Sequence, residues 1–287
     1  MKCIACYNPS LEIYSNNSFL GIPILKCKNC NLLITGKSEE EIESALKRFY
    51  ESETIEFNKE NKEKVENDFE NSSGTYAKNL WCSHFQYCRK YIKNFKNLLE
   101  IGPGLGLGLR MFEGVGFNVV GIEQNKKFVE LINQKLKNGI CKLGNIEKDD
   151  LEQKFDFIWM SHCYEHVLRP DLLLKKCKDL LKEDGFIFIA VPDCENNATL
   201  KESIFDNASS FHYSKKSIEL LAKKAELQII KCESVRELYR FEGRFHMILD
   251  QHFNFINRRI CPYFPFKITQ KNNGREIRVI LKKISVY

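Results

Sequence analysis

A glycine-rich segment, LLEIGPGLGLGLR at positions 98–110, contains the residue types and spacing that most clearly indicate chemistry. Its apolar start predicts a short buried strand, and glycines at every second position predict a turn into a helix with little to obstruct a ligand. Comparable turns hold a pyrophosphate at a helix N-terminus. Here Glu100, two residues before Gly102, would repel a phosphate. The turn, with Gly104 and Gly106 at its centre, therefore predicts a site for a cationic small-molecule cofactor.

Polar residues follow the next two predicted strands at the points where these strands end. Glu123 comes 21 residues after Gly102, the spacing at which an acid accepts both hydroxyls of a ribose, and Gln124 lies next to it. Asn145 and Ile146 follow the third strand. Because ligands of doubly wound sheets bind beyond the carboxyl ends of the strands, all four residues are predicted to contact one cofactor.

The fourth predicted strand leads into MSHCYEH at positions 160–166, which contains two candidate catalytic side chains. Ser161 lies at the end of the strand, and His166 has Glu165 as its neighbour. A histidine with a pKa near neutrality suits the removal of a proton. The letters H-x-x-E-H also occur in inverted zinc peptidases. That alternative is disfavoured because the motif follows a strand directly and Arg169-Pro170 restricts any helix.

Two C-x-x-C pairs, Cys3 with Cys6 and Cys27 with Cys30, are separated by 20 residues. Each pair lets two thiolates reach one ion from a single tight turn, and two such pairs close a tetrahedral zinc site. Because sulfur fills all four positions, we predict a structural zinc without an open position for water. Four reduced thiols without metal are the alternative. The other eight cysteines are scattered singly and are expected to be reduced.

The E-x-G-x-G-x-G segment after a buried strand resembles motif I of the class I S-adenosylmethionine-dependent methyltransferases. Glu165-His166 resembles the EH motif of their small-molecule members, and the four-cysteine ribbon resembles a bacterial subgroup that methylates sugars and other small metabolites. The resemblance implies S-adenosylmethionine as cofactor, with Asn145 and Ile146 at its adenine. It also implies that Ser161 contacts the cofactor and that His166, with Glu165 as its neighbour, faces the reacting atoms. Many relatives have Asp in place of Asn145, but an amide oxygen still accepts a hydrogen bond from the adenine amine.

A second candidate base follows the fifth predicted strand. The phrase Ser210-Phe211-His212-Tyr213-Ser214 is similar to an H-x-x-F-S element of the same subgroup, with the phenylalanine shifted. The resemblance therefore makes His212 a rival of His166 as base or substrate clamp. A histidine that only caps the loop is the alternative.

The elements that must position these residues alternate regularly from residue 98 onward. Strands separated by helices predict an α/β fold with a doubly wound, Rossmann-like sheet, to which the resemblance adds a seventh, antiparallel strand. Strands are predicted at 98–101, 117–122, 140–143, 155–160, 186–191, 227–233 and 276–284. Helices are predicted at 38–53, 76–95, 126–136, 170–181 and 215–225, and one more runs from the glycine turn to about residue 113. We divide the chain into a zinc ribbon (1–36), a helix and polar linker (37–75) and a methyltransferase domain (76–287).

An aromatic, basic insertion at about 234–275 is predicted to form a lid or substrate wall. The segment from Ser234 to Tyr287 holds 11 Lys or Arg against 4 Asp or Glu, although the whole chain of 287 residues carries only +6. Arg236, Arg240 and Arg244 recur every four residues, which on a helix forms one basic stripe. Such a stripe would clamp a phosphate or carboxylate of an anionic acceptor, or form a solvated face.

The expected partner is a small metabolite. An RNA-modifying enzyme is less well supported, because the fourth strand lacks the [DNS]-P-P-[YFW] signature, and a non-catalytic cofactor-binding module is a third hypothesis. No apolar stretch reaches the length of a membrane span and no hydrophobic signal precedes the first cysteines, so a cytoplasmic protein without a membrane partner is expected. The oligomeric state is left open.

Overall fold

The computed structural model describes residues 2–56, 76–238, 268–271 and 274–284, with side chains left out at 49–56, 76–79, 236–238 and 268–271. The predicted polar linker lies outside the described residues. None of the eleven cysteines within them forms a disulfide, as expected for the scattered ones.

The N-terminal ribbon is built from two equivalent turns and a small antiparallel sheet. In each turn the residue after the second cysteine adopts a positive φ, 58° at Tyr7 and 59° at Asn31, and donates its main-chain N–H to the carbonyl of the first cysteine. The sheet consists of β1 (Leu11–Ser15), β2 (Ile24–Cys27) and β3 (Leu33–Thr35). Its fourth strand, β9 (Phe211–His212), comes from the distant segment that contains the second candidate base.

Helix α1 (Glu39–Glu56) begins where the sequence predicts it. The Ser38 hydroxyl accepts the Glu41 N–H at 3.2 Å, and the Glu41 carboxylate accepts the Lys37 N–H at 2.5 Å. The first bond satisfies a donor that a helix N-terminus otherwise leaves unpaired, and the second fixes the residue before the cap. Helix α2 (Tyr76–Cys88) ends seven residues before the predicted boundary at 95, because the Tyr91 N–H bonds to the Cys88 carbonyl and tightens the chain into a turn.

The main α/β unit has eight described strands, the seven predicted ones and one more at the edge. The elements are β4 (Asn97–Ile101), α3 (Leu107–Gly114), β5 (Asn118–Glu123), α4 (Lys126–Lys135), β6 (Ile140–Leu143), β7 (Phe155–Ser161), α5 (Pro170–Leu180), β8 (Leu181–Pro192), α6 (Asn197–Phe205), α7 (Lys215–Lys224), β10 (Leu227–Leu238), β11 (Ile268–Lys271) and β12 (Glu276–Lys283). A single 3-10 turn, Tyr164–His166, follows β7.

The strand order is β11-β10-β12-β8-β7-β4-β5-β6. Strands β4 to β8 pair in parallel, and β12 pairs antiparallel with both β8 and β10. The predicted doubly wound sheet with an antiparallel last strand is therefore confirmed. The strand order changes direction at β4, which has β5 on one side and β7 on the other, and ligands bind at such a switch point.

Apolar side chains cover both faces of this sheet. Along β7, Phe157 and Trp159 pack on one face against aromatic residues of α2 and α3, while Ile158 and Met160 face the layer of α5 and α7. That second layer continues into the ribbon through Leu32 and Ile34. The ribbon thus shares a core with the α/β unit.

Two features differ from the sequence-based expectation. Helix α6 was not predicted, although Asn196 caps it by accepting the N–H groups of Ala198 and Thr199. The expected insertion begins later, because β10 continues to Leu238 and pairs with β11. Arg236 lies in this strand opposite Gln270, so it is not part of a helical stripe, and Arg240 and Arg244 lie outside the described residues.

Candidate active site

The glycine turn joins β4 to α3 at the switch point. Gly102, Gly104 and Gly106 have φ values of 65°, 55° and 77°, a region that side chains other than glycine rarely adopt. A Cβ on Gly102 would collide with the Cys163 sulfur, whereas a Cβ on Gly104 would meet nothing within 4 Å. The turn is therefore packed against the loop after β7 and open at its centre, as a cofactor cradle requires.

Glu100 lies beneath this turn and is 5% exposed. Its carboxylate occupies the space that a Cβ on Gly108 would fill, so it packs directly against the first turn of α3. Burial raises its pKa to about 8, against the opposing effect of a main-chain hydrogen bond from Leu109. Oε2 has no hydrogen-bond partner among the described groups, so it can accept a hydrogen bond from a bound molecule.

Glu123 links the end of β5 to the glycine turn. Its Oε2 accepts the Gly104 N–H at 3.1 Å, and its Oε1 accepts the Asn125 N–H at 2.9 Å. Burial raises the pKa of this carboxyl, while the hydrogen bonds from Asn125 and Gly104 lower it. Each oxygen retains a second lone pair, so the carboxylate at this edge could still accept both hydroxyls of a ribose.

The predicted adenine contacts lie on the neighbouring loop after β6. Asn145 donates from its amide to Gln124 Oε1 at 3.3 Å, and its own Oδ1 accepts the Glu147 N–H at 2.8 Å. Ile146 is 5% exposed and packs in the core. The fold thus places Glu123, Gln124 and Asn145 side by side, at the carboxyl ends of adjacent strands.

The loop after β7 carries the catalytic candidates. Glu165 is 2% exposed, and its Oε1 lies 3.6 Å from His162 Nδ1 and 3.9 Å from His166 Nε2. Its Oε2 has no hydrogen-bond partner among the described groups. His162 adopts φ 51°, a strained backbone conformation for a histidine. A buried carboxylate between two partly exposed histidines is therefore fixed next to the glycine turn.

His166 is held in one tautomer. Its Nδ1–H donates to the Ala208 carbonyl at 2.9 Å, which leaves Nε2 as the basic nitrogen. The side chain is 28% exposed, so this nitrogen can reach a bound molecule. Ser210 secures the same loop from the other side, donating its N–H to the Glu165 carbonyl at 2.8 Å and its hydroxyl to the His166 carbonyl at 3.3 Å.

His212 does not occupy the position that the sequence suggests. It is 1% exposed, with Nε2 3.1 Å from the Thr35 hydroxyl and Nδ1 2.7 Å from the Ser203 hydroxyl. Burial lowers its pKa to about 3, so it is neutral near pH 7. The expectation that His212 faces the substrate is corrected. The residue instead joins the ribbon to the α/β unit, because β9 turns its side chain into the packed interior.

Sequence reasoning missed a second polar cluster beside Ser161, made of His84, His162 and Glu276. Glu276 Oε1 lies 2.8 Å from both His84 Nε2 and His162 Nε2, and Oε2 accepts Arg278 Nε at 2.5 Å. Ser161 Oγ, expected at the cofactor, lies 3.3 Å from His84 Nδ1. No sequence spacing signals this cluster, because 192 residues separate His84 from Glu276.

The four ribbon cysteines form a compact group of sulfur atoms. Cys3 and Cys30 are 3.5 Å apart, as are Cys6 and Cys27, and all four sulfurs lie within 4.8 Å of one another. Tetrahedral zinc with Zn–S bonds of about 2.3 Å places its ligands about 3.8 Å apart. The geometry therefore fits one tetrahedral ion.

Comparison with known proteins decides the family. Residues 74–232, more than half of the chain, match the family model described as "Methyltransferase domain". The chain belongs to this methyltransferase family. It is a class I S-adenosylmethionine-dependent enzyme, as the resemblance of its glycine turn and EH motif implies.

Curated relatives of the methyltransferase are about 30% identical to it over the aligned segments. Over 180 residues it is 31% identical to "Ubiquinone biosynthesis O-methyltransferase" from Pelagibacter ubique, a match that covers 58% of this chain and 72% of that protein. A match to "(S)-coclaurine N-methyltransferase" from Papaver somniferum is 32% identical and covers 35% of this chain and 31% of that protein. The segment matched by the methyltransferase thus covers less than half the length of some relatives and most of the length of another.

Solved structures share the fold at low sequence identity. An S-adenosylmethionine-dependent methyltransferase from Clostridium acetobutylicum superposes with a TM-score of 0.53 at 14% identity, covering 79% of this chain and 99% of that one. The plantazolicin methyltransferase BpumL, solved with SAH, gives a TM-score of 0.53 at 14% identity, with 86% and 99% covered. Among the described helices of the methyltransferase, none has the length and apolarity to span a bilayer.

Proposed function

We propose that this methyltransferase moves the methyl group of S-adenosylmethionine to an oxygen or nitrogen atom of a small molecule, with His166 as the general base. The observation that carries the proposal is the fixed tautomer of His166. Its Nδ1 is committed to the Ala208 carbonyl, while Nε2 lies beside the buried Glu165 carboxylate. A histidine held in this way accepts a proton at a defined atom.

The glycine turn and the acids around it fit the cofactor. S-adenosylmethionine supplies a sulfonium methyl group that is already activated for in-line displacement. The open centre at Gly104 leaves room for the methionine part, and Glu123 lies where a ribose would need an acceptor. The buried Glu100, whose Oε2 has no partner among the described groups, offers a hydrogen-bond acceptor beneath the turn. A cationic cofactor would favour the ionised form of this carboxyl, because an opposite charge nearby offsets the effect of burial.

The residues after β7 would handle the proton of the acceptor. When an acceptor hydroxyl or amine lies against His166, Nε2 takes the proton as the nucleophile attacks. The resulting imidazolium is stabilised by Glu165, whose Oε1 is 3.9 Å away. Because Glu165 is buried and its main-chain carbonyl is held by Ser210, the pair stays in place through the reaction.

We infer the acceptor class from the names of the relatives and from the basic residues near the end of the sequence. The curated relatives are named as O- and N-methyltransferases that act on small molecules, which supports a small-molecule acceptor without selecting oxygen or nitrogen. The excess of basic residues from Ser234 onward supports an acceptor with an anionic group, such as a phosphorylated metabolite or a nucleotide-linked sugar.

We further propose that the ribbon holds a structural zinc ion. Cys3, Cys6, Cys27 and Cys30 would close all four positions, so the ion would contribute to folding and take no part in the chemistry. The ion would affect catalysis only indirectly. Strand β3 of the ribbon pairs with β9 and supports the Ser209-Ser210 segment, which lies behind Glu165 and His166.

The proposed function is tested by incubating the purified full chain with radiolabelled S-adenosylmethionine and a panel of phenols, sugars and amines, each with and without a phosphate group. We expect label in at least one hydroxyl or amine acceptor, with preference for the phosphorylated member of a pair. Equal turnover of both members would contradict the anionic acceptor. Labelling of RNA alone would overturn the small-molecule proposal.

A further inference from the structure

Three side chains from three separate elements converge beside the candidate active site. His84 comes from α2, His162 from the loop after β7, and Glu276 from the start of β12. His84 Nε2, His162 Nε2 and Glu276 Oε1 all lie within 4.8 Å of one another. None of them belongs to the glycine turn, the proposed base or the cysteine ribbon. The fold thus builds a second site with two imidazole nitrogens and one carboxylate oxygen.

Each of these three groups is oriented by a further contact on its far side. His84 Nδ1 lies 3.3 Å from the Ser161 hydroxyl, and Glu276 Oε2 accepts Arg278 Nε at 2.5 Å. His162 Nδ1 faces Glu165 Oε1 at 3.6 Å. Contacts of this kind fix the direction of metal ligands in proteins, because they leave only the inward-facing atom for the ion.

We propose that His84, His162 and Glu276 bind one divalent transition-metal cation. Two imidazoles and a carboxylate suit zinc and its neighbours in the first transition row, such as cobalt and manganese. The side chains of His84 and Glu276 are 1% and 9% exposed, whereas that of His162 is 37% exposed. The ion is therefore closed off on the protein side and keeps an open position on the side of His162.

A neighbouring carboxylate supplies charge for this cation. Glu276 alone is balanced by Arg278, so a further negative group is needed beside a divalent ion. Glu165 lies behind His162 and is 2% exposed, and its Oε2 has no hydrogen-bond partner among the described groups. His162 and His166 face only Oε1 of this carboxylate, so a cation at the cluster would add to the positive charge around a buried acid whose second oxygen has no hydrogen bond among the described groups.

The cation site is independent of the proposed acceptor, since binding depends on the three ligand side chains and the charge of the neighbouring Glu165, and none of these needs an acceptor to be bound. Only its role rests on the proposed function. The open position at His162 lies on the same loop as Glu165 and His166, so a metal there would contact the acceptor oxygen and favour its ionised form. Metal binding without methyl transfer would overturn that role and leave the metal site intact. Failure of the metal site and failure of the proposed function therefore give different results.

The experiment adds Co²⁺ to the full chain after a single equivalent of zinc, which the four thiolates of the ribbon take up first and which leaves the second site free. We expect one further equivalent of cobalt, with weak visible bands typical of nitrogen and oxygen ligands and without the intense charge-transfer band of a thiolate. His162→Ala should weaken this binding by more than about 10-fold. His162 is partly exposed, so the variant should fold, which circular dichroism checks. His166→Ala, a nearby histidine outside the cluster, is the matched control and should bind cobalt like the wild type.

Two results would overturn the proposal. One is a wild-type titration in which cobalt gives only the thiolate band, or no band. The other is a folded His162→Ala variant that binds the further equivalent as tightly as the wild type. Either result would make the cluster a hydrogen-bonded anchor of α2 on the sheet.

Discussion

His212 of the α/β unit donates from Nε2 to the hydroxyl of Thr35 in the ribbon, at 3.1 Å. The Thr35 hydroxyl in turn donates to the Ser209 carbonyl at 2.6 Å, and its main-chain N–H donates to the Ser210 carbonyl at 2.9 Å. Ser210 holds the loop that carries Glu165 and His166. The ribbon is thus connected to the candidate catalytic loop through a short chain of hydrogen bonds.

Thr35→Val tests this connection. The substitution keeps the shape of the side chain but leaves His212 Nε2 and the Ser209 carbonyl without partners in a buried place. We expect the free energy of unfolding to fall by about 1–3 kcal/mol. Chemical denaturation measures the change. Ser15→Ala removes an exposed ribbon hydroxyl that bonds only to neighbouring main chain, and should change stability little. Equal effects of the two substitutions would contradict the account.

Gly108→Ala tests the packing of Glu100 under the cofactor turn. The new Cβ would occupy the space of the Glu100 carboxylate and push it out of place. Displacement of this carboxylate from beneath the turn is expected to lower cofactor affinity by at least about 5-fold, which is about 1 kcal/mol of binding free energy. Isothermal titration with S-adenosylhomocysteine measures it. Gly114→Ala on the same helix is the control, because nothing lies within 4 Å of its Cβ position. Unchanged affinity in the Gly108 variant would refute this role of the turn.

Glu100 also makes stability depend on pH. Burial raises its pKa in the folded state from 4.5 to about 8, so the folded protein retains a proton that the unfolded chain has lost. The contribution of Glu100 to stability is therefore greatest at low pH and is lost as pH rises from about 4.5 to 8. Compared with Glu100→Gln, the wild type should lose up to about 1.4 kcal/mol per pH unit in this window. Parallel stability curves for the two proteins would rule out the raised pKa.

His166→Ala should separate chemistry from binding. Loss of the proposed base is expected to lower kcat by about 10²–10⁴-fold, while the dissociation constant of S-adenosylhomocysteine stays near the wild-type value. Steady-state kinetics and calorimetry provide the two measurements. Rescue of the variant by added imidazole would support a role in proton transfer. A folded variant with wild-type kcat would exclude His166 as the base.

Much of the fold follows from local sequence. The alternation of apolar runs with amphipathic segments predicts the sheet, and Pro170 begins α5 as its fixed φ allows. The glycine turn and Glu123 come together because both follow neighbouring strands of that sheet. These features depend on short spacings, which a sequence displays directly.

The remaining features depend on contacts between distant residues. The letters around His212 resemble a catalytic element, but a two-residue strand pairs this segment with the ribbon and turns the histidine inward. His84, His162 and Glu276 have no common spacing, so only the folded sheet brings them together. The cap at Asn196 was a local signal that was available and would have predicted α6.

The most direct test of the central claim is the affinity of S-adenosylhomocysteine for the wild type and for Glu123→Ala. Glu123 Oε2 accepts the Gly104 N–H, so this carboxylate lies at the turn where we place the cofactor. We predict one binding site in the wild type and an affinity at least about 10-fold lower in the variant, since a charged hydrogen-bond acceptor is worth about 1.5–3 kcal/mol. No binding to the folded wild type, or equal affinity for both proteins, would contradict the account.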